Sequence, residues 1–311
     1  MKAVVIEQYG GKENLKEMEV PAPKIQDDQV LIEIKATSIN PIDWKLREGY
    51  LKNILPFDFP IILGWDAAGI ILETGKNVKE FKKGDRVFAR PETTRFGTYA
   101  ELTAADENLL AKIPDNISFE EAASIPLAGL TAWQALFDTA HLQQGEKVLI
   151  HAGSGGVGSL AIQFAKHAGA YIATTASEKN IDFLKDLGAD EVINYRTTAF
   201  EDVLSDYDVV VDTMGGEIQF KSFQVLKKGG RLVSIVEEPN SDYAKKHSVK
   251  AESIWLKPNG HQLSQIARLL ETGEVKAIIG ETFPFSEKGV KDAHALSESH
   301  HAKGKIVIRF E

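Results

Sequence analysis

One short stretch restricts the fold of this chain more than any other. Lys147-Val148-Leu149-Ile150-His151-Ala152-Gly153-Ser154-Gly155-Gly156-Val157-Gly158 is an apolar strand pattern running straight into glycines at 153, 155 and 158. Behind it Val157, Leu160, Ala161, Phe164, Ala165 and Ala168 recur at helical spacing, and Gly169 supplies a C-terminal stop. Alone, G-x-G-x-x-G is a weak signal, since a glycine-rich loop can serve packing only. Here strand, glycine turn and helix follow one another. Such a turn exposes backbone N–H groups beside a positive helix end and suits a pyrophosphate.

Around this stretch, Lys147 to Ile150, Tyr171 to Thr174, Glu191 to Ile193, Asp208 to Val211 and Arg231 to Ile235 alternate with amphipathic helical patterns. That alternation predicts βαβ units and a parallel sheet. Residues 1 to about 110 read instead as mainly strand, with Val30 to Ile34 and Arg86 to Ala89 set between turn material. Ser118-Phe119-Glu120-Glu121 matches a capping box and opens an alanine-rich helical stretch. A chain of 311 residues exceeds what one core usually organises. The expected division is 1–115, 116–256 and 257–311. The tail carries one helical pattern (Leu263, Ile266, Ala267, Leu270) and a last strand, Lys305 to Phe310, expected to return to the first domain.

Composition narrows the partners. A net charge of -9 and no basic stripe argue against nucleic acid. The most apolar run, Ile61 to Leu72, is interrupted by Asp66 and too short to span a bilayer. The absence of cysteine removes disulfides, thiolate catalysis and thiolate metal sites, which suits a reducing cytoplasm. About 20 residues past the glycine turn, an NAD site places an acid at the end of the second strand. This chain has Thr174-Thr175-Ala176-Ser177-Glu178-Lys179. Ser177 and Lys179 suit a 2′-phosphate, so NADPH is the expected cofactor; the rival reading gives Glu178 the acidic role.

Further segments are Ser38-Ile39-Asn40-Pro41-Ile42-Asp43, Gly64-Trp65-Asp66-Ala67-Ala68-Gly69, Gly84-Asp85-Arg86-Val87, Gly97-Thr98-Tyr99-Ala100-Glu101 and Gly188 to Tyr195. With the glycine turn, and in this order, they resemble the medium-chain dehydrogenase/reductase superfamily. The resemblance is to its zinc-free quinone oxidoreductase branch, which includes zeta-crystallin-like proteins and the reticulon-interacting mitochondrial reductases, and it covers essentially the whole chain. It implies an α/β architecture: a GroES-like β-rich catalytic domain from both chain ends, a Rossmann doubly wound parallel-sheet domain between them, and a homodimer joined through the Rossmann sheets. It also implies cofactor contacts at Gly153, Ser154, Gly155, Gly156, Val157 and Gly158, a 2′-phosphate site of Ser177, Lys179 and Tyr195, Thr131 near the nicotinamide, and Met214 and Gly215 beside its ribose.

The Cys, His and Cys that bind catalytic zinc in relatives align here with Asn40, Trp65 and Leu127, so no metal is expected. His294, His300 and His301 read as surface histidines rather than ligands. Without a metal, the acceptor must already be electron-poor, as a quinone or an α,β-unsaturated carbonyl is. Asn40 could donate to its carbonyl, or be only a turn-former before Pro41. Lys45 and Tyr50 are weaker candidates to stabilise or protonate the product; Tyr50 could equally be a wall aromatic. Asp43 and Asp66 read as structural. Two alternatives remain open: an enoyl-thioester reductase, for which Lys45, Arg47 and Lys52 would form a basic patch, and a noncatalytic NADPH-binding redox sensor.

Overall fold

The computed structural model describes residues 1–311. By internal contacts they form two compact units, Met1–Ala128 with Pro258–Gly273 and Ala277–Glu311, and Gly129–Lys257 with Glu274–Lys276.

The second unit is built on six parallel strands. Across the sheet run Glu191–Asn194, Tyr171–Ala176, Lys147–Ile150, Tyr207–Asp212, Leu226–Ser234 and Lys250–Ser253. Numbered by place in the chain, that order is 3-2-1-4-5-6, the Rossmann arrangement. A parallel sheet covered on both faces calls for unbroken apolar strands. Val148, Leu149, Ile150, Val209, Val210 and Val211 accordingly have no exposed surface. The five strands read from the sequence all form; Lys147–Ile150 keeps its ends, and those of the other four shift. The sixth lies at the sheet edge and buries none of its residues, so no apolar run marks it. Helix Gly156–His167 buries Leu160, Ala161, Phe164 and Ala165, and the Phe164 ring meets Trp133 edge-on at 5.4 Å. These side chains supply most of what holds the helix, each worth about 1.5–3 kcal/mol when fully buried, less for alanine.

The capping box after residue 117 forms: Glu121 N donates to Ser118 Oγ at 3.1 Å, and Ser118 N to Glu121 Oε2 at 2.8 Å. The alanine-rich stretch is nevertheless not one helix. Phe119–Ala123 stops ahead of Pro126, which opens a second helix, Pro126–Trp133. Proline cannot donate within a helix interior but fits a first turn.

In the first unit, the long strand Gln29–Ile39 pairs antiparallel with Ala67–Thr74, Leu102–Asp106 and the C-terminal strand Lys305–Arg309, where Ile306 lies opposite Ile39. A smaller sheet joins Lys16–Glu19, Lys2–Ile6 and Ile61–Ile62. The tail holds two helices, Gly260–Thr272 and Glu287–Glu298, where the sequence pattern showed one. The second is polar, and its buried face is Gly289, Val290, Ala293 and His294.

That face corrects two readings. His294 is not a surface histidine: it has no exposed surface, its Nδ1 lies 3.1 Å from Arg47 Nη1, and its Nε2 lies 3.3 Å from the Tyr99 hydroxyl. Arg47 is no part of a basic patch. Its guanidinium is fully buried, pairs with Glu48 and Glu298, and donates through Nε to Gly10 O at 3.0 Å. A buried guanidinium is stable only when so paired.

Candidate active site

In the second unit, the loops that leave the first and fourth strands of the parallel sheet come together where the strand order reverses. His151 N donates to Val211 O at 3.2 Å, and Thr213 Oγ1 to His151 O at 2.9 Å. Open α/β sheets bind ligands at this place.

The three glycines of the turn divide two roles. A Cβ at Gly153 would lie 2.2 Å from Thr174 Oγ1, and one at Gly158 would lie 2.4 Å from Ala152 O, so these two permit close packing. Gly155 is different: a Cβ there would meet only Ala152 O, at 3.4 Å. It is the N-cap of Gly156–His167 and has no side chain to satisfy the first-turn amides. The N–H groups of Gly156, Val157 and Gly158 therefore begin the helix uncapped, as an anion cradle requires. Ser154, Gly156 and Val157 are half-buried around it.

Ser177 and Tyr195 follow the paired ends of the second and third strands, and Lys179 lies two residues past Ser177 in the turn Glu178–Asn180. Ala176 pairs with Asn194, and Tyr195 N donates to Ala176 O at 3.2 Å. Tyr195 and Lys179 are exposed, and Ser177 is half-buried. Arg196, which the sequence reading missed, stands beside them with its guanidinium 6.0 Å from the Tyr195 ring centre. Its signal was adjacency to a residue already chosen. Glu178 falls past the strand end, exposed in the short turn Glu178–Asn180. Two cations, hydroxyls and uncapped amides fit a dinucleotide bearing a 2′-phosphate.

The loop after the fourth strand is held by Asp212, which has no exposed surface. Its Oδ1 accepts from Met214 N at 2.9 Å and Gly215 N at 2.8 Å; its Oδ2 accepts from Gln219 Nε2 at 3.0 Å and Ser234 Oγ at 2.9 Å. Gly215, at φ 71°, takes a left-handed conformation, and Met214 is exposed. Thr131 is buried in Pro126–Trp133.

The first unit, taken by itself, holds a buried polar cluster. Asn40 caps helix Pro41–Arg47 through its backbone, whose N–H donates to Asp43 Oδ2 at 2.8 Å. Its side-chain amide is buried between two charges: Nδ2 donates to Asp66 Oδ2 at 2.7 Å, and Oδ1 accepts from Lys305 Nζ. Asp66 also accepts from Ser38 Oγ at 2.5 Å and Leu127 N at 2.7 Å, and it lies 3.4 Å from Lys305 Nζ. Lys305 donates to Ile39 O at 3.0 Å. Burial pushes the lysine pKa down against the pull of Asp66. Burial also pushes Asp43 up to about 7, although Tyr99 OH donates to its Oδ2 at 2.7 Å. Arg90 is 2% exposed, donates to Pro91 O and Thr93 Oγ1, and leaves Nε without an acceptor.

Lys45 and Tyr50 do not join this cluster through any bond. They gather around Trp44, with Lys45 Nζ 5.8 Å above its ring and the Tyr50 ring edge-on at 6.3 Å. Tyr50 is 69% exposed. Sequence reasoning missed Lys305 and Arg90 and undervalued Asp66. A lone charge inside an apolar stretch, as at Asp66 or at the head of the last strand, was the available signal.

No three His, Cys, Asp or Glu side chains group so as to hold a metal ion. The residues at the aligned zinc positions do not fit one. Trp65 is fully buried with its Nε1 on Thr94 O at 3.2 Å, Leu127 has no ligand atom, and the Asn40 amide is held by Asp66 and Lys305.

Two family models match: the alcohol dehydrogenase GroES-like domain over residues 26–115 and zinc-binding dehydrogenase over 187–308. The chloroplast envelope quinone oxidoreductase homolog of Arabidopsis thaliana is 38% identical, over 99% of this chain and 98% of its own length. The NADPH-dependent alkenal/one oxidoreductase of the same plant is 37% identical, over 99% of this chain and 79% of its own length. The solved quinone oxidoreductase of Coxiella burnetii superposes with a TM-score of 0.92 at 37% identity, covering 100% of this chain and 99% of that one. The chain thus belongs to the medium-chain dehydrogenase/reductase superfamily, in its quinone oxidoreductase branch.

Proposed function

We propose that this chain is an NADPH-dependent, zinc-independent reductase that passes a hydride to a quinone or an α,β-unsaturated carbonyl. The observation that carries the reading is the cofactor cradle: uncapped amides after Gly155, and Ser177 and Lys179 after the second strand, where an NAD site would place a carboxylate, with Arg196 after the neighbouring third strand. Bound NADPH supplies the hydride. The chain's own work is to hold the dinucleotide by Ser154 to Gly158, to bind its 2′-phosphate by Ser177, Lys179, Tyr195 and Arg196, and to keep the loop at Met214 and Gly215 fixed through Asp212. Thr131 faces the nicotinamide end in this reading.

At the acceptor, Asn40 orients the carbonyl. Its amide has a second N–H beyond the one given to Asp66, and Lys305 on its oxygen polarises that donor. Lys45 and Tyr50 serve as wall residues or proton sources. With no ligand atoms at Trp65 and Leu127, activation of the acceptor falls to its own electron deficiency. Relatives named for quinone and alkenal/one reduction support that substrate class. The thioester alternative is weakened because Arg47 is buried and leaves no three-residue basic patch. The lack of cysteine suits a reducing cytoplasm. The open edge at Lys250–Ser253 is a place for a second copy to pair.

The test is NADPH oxidation followed optically against quinones, enones and enoyl thioesters, with NADH in parallel and a chelator added. Turnover with NADPH that survives chelation and favours quinones or enones is expected. Loss of turnover on chelation overturns the zinc-independent reading. Tight NADPH binding with no turnover on any acceptor supports a redox sensor instead.

A further inference from the structure

Beneath the glycine turn lies a side chain that hydride transfer does not use. His151 is 1% exposed, and both ring nitrogens are engaged: Nε2 lies 2.8 Å from Ser222 Oγ and Nδ1 lies 3.2 Å from Thr175 Oγ1. The directions of these bonds follow from what the hydroxyls do elsewhere. Ser222 Oγ donates to Ile218 O at 2.7 Å, so its one proton is used and it can only accept from the ring. Nε2 therefore carries hydrogen. On a neutral ring Nδ1 is then an acceptor and takes the Thr175 hydroxyl proton. Thr175 Oγ1 in turn accepts from Ala152 N at 3.2 Å. The chain runs Ala152 N–H to Thr175, Thr175 to His151, His151 to Ser222, and Ser222 to Ile218 O, with every proton used once.

Ala152 is where this chain meets the cofactor turn. Its φ is 49°, left-handed backbone for a residue with a Cβ. In that conformation its carbonyl accepts from Gly155 N at 3.0 Å and closes the turn, while Gly158 packs against the same oxygen. Around the ring stand Phe200, edge-on at 4.8 Å, and the carboxylates of Asp212 and Glu201, the latter paired with Lys221 at 2.9 Å. Burial outweighs the pull of those carboxylates and pushes the imidazole down to about 4. The ring is neutral at pH 7, the state in which Nδ1 can accept from Thr175.

We infer that His151 is a positioning residue of the dinucleotide site: as a neutral Nε2–H tautomer it holds Thr175 and, through it, the left-handed Ala152 that aims the turn's amides. This rests on the reading that the turn holds NADPH.

The test uses the full chain. His151→Phe keeps a buried ring and removes both bonds. Fluorescence titration of NADPH is expected to show its Kd raised at least tenfold. The double variant His151→Phe/Ala152→Gly is expected to recover most of that loss, because glycine takes a positive φ unaided. A single variant that binds NADPH within twofold of wild type, or no recovery in the double variant, overturns the inference. Independently, 15N resonances of the wild-type imidazoles are expected to show His151 as the Nε2–H tautomer, neutral down to pH 5.5. An Nδ1–H tautomer, or protonation near pH 6.5, overturns it even if the Phe variant does not fold. A wild-type chain that does not bind NADPH overturns the functional reading instead, and the tautomer measurement still decides whether the hydrogen-bond chain exists.

Discussion

The two units of this protein build polar sites by opposite means. The second unit leaves backbone amides free at a helix start, with Lys179, Tyr195 and Arg196 in solvent; its buried imidazole, His151, is neutral, and its one fully buried carboxylate, Asp212, is held by amides and hydroxyls rather than by a cation. The first unit buries charge: Asp66 and Lys305 are joined with Asp43 through Asn40, and Arg90, buried nearby, interacts electrostatically with both carboxyl groups. Amides of a helix end need no desolvated ion, so the cofactor cradle adds little strain to its unit. A buried ion pair must be compensated group by group, and each partner becomes indispensable to the others.

The largest expected consequence of that difference lies at Lys305. Lys305→Met removes the ammonium and leaves the buried Asp66 charge with hydrogen bonds from Ser38, Asn40 and Leu127 but without its ion-pair partner, which should cost about 3–5 kcal/mol of stability. Denaturant unfolding reads it directly. Adding Asp66→Asn should return part of the loss, because the orphaned charge is then gone. If the double variant is as unstable as the single one, the two residues are not coupled and the contrast between the units fails.

At the second unit the expected loss is smaller and confined to binding. Lys179→Ala should raise the KM for NADPH about tenfold, or about 1.4 kcal/mol, and leave that for NADH unchanged. An equal change for the two cofactors would place Lys179 outside the 2′-phosphate site. Arg196→Ala should give the same selective pattern, and it would sharpen the comparison by showing how much of the site is carried by exposed cations.

The same difference explains what could be read from the sequence. The strand, glycine turn and helix were legible because their pattern is local: Gly153, Gly155 and Gly158 lie within one turn, and Ser177 and Lys179 follow one strand end. The alternation of strands gave the parallel sheet for a similar reason. The buried cluster was not legible, because Asn40, Asp66 and Lys305 are brought together only by the pairing of Gln29–Ile39 with both Ala67–Thr74 and Lys305–Arg309. His294 was misread because its helix is polar on all but one narrow face. The edge strand Lys250–Ser253 has no buried residue to impose a period.

Acid should reveal the contrast in its mildest form. In the second unit His151 is depressed to about 4 by burial. Between there and 6.5 the unfolded chain binds a proton that the folded one does not, so stability falls with pH. Glu201 and Asp208 act in the same direction: burial raises each, but Lys221 holds Glu201 below its ordinary value, and the Lys147 amide and Lys227 hold Asp208 below its own, so their contributions are lost as they protonate. In the first unit His294, pushed down to about 3 by burial, has the same sign, but Asp43, pushed up to about 7, has the opposite one. Folded Asp43 holds a proton that the unfolded carboxylate has lost, so its contribution grows as pH falls through 7. The slopes of Asp43 and His294 offset within that unit, each at most about 1.4 kcal/mol per pH unit, while Glu287, held below its ordinary value by Lys291 on the surface, adds to the loss with acid. Amide exchange corrected for intrinsic rates should therefore show Lys147–Ile150 losing protection before Gln29–Ile39 as pH drops from 6.5 to 4.5. Asp43→Asn, which removes the opposing group, should bring the two losses together; loss in the reverse order would mean that charge burial, not the lone imidazole, is the acid-sensitive design.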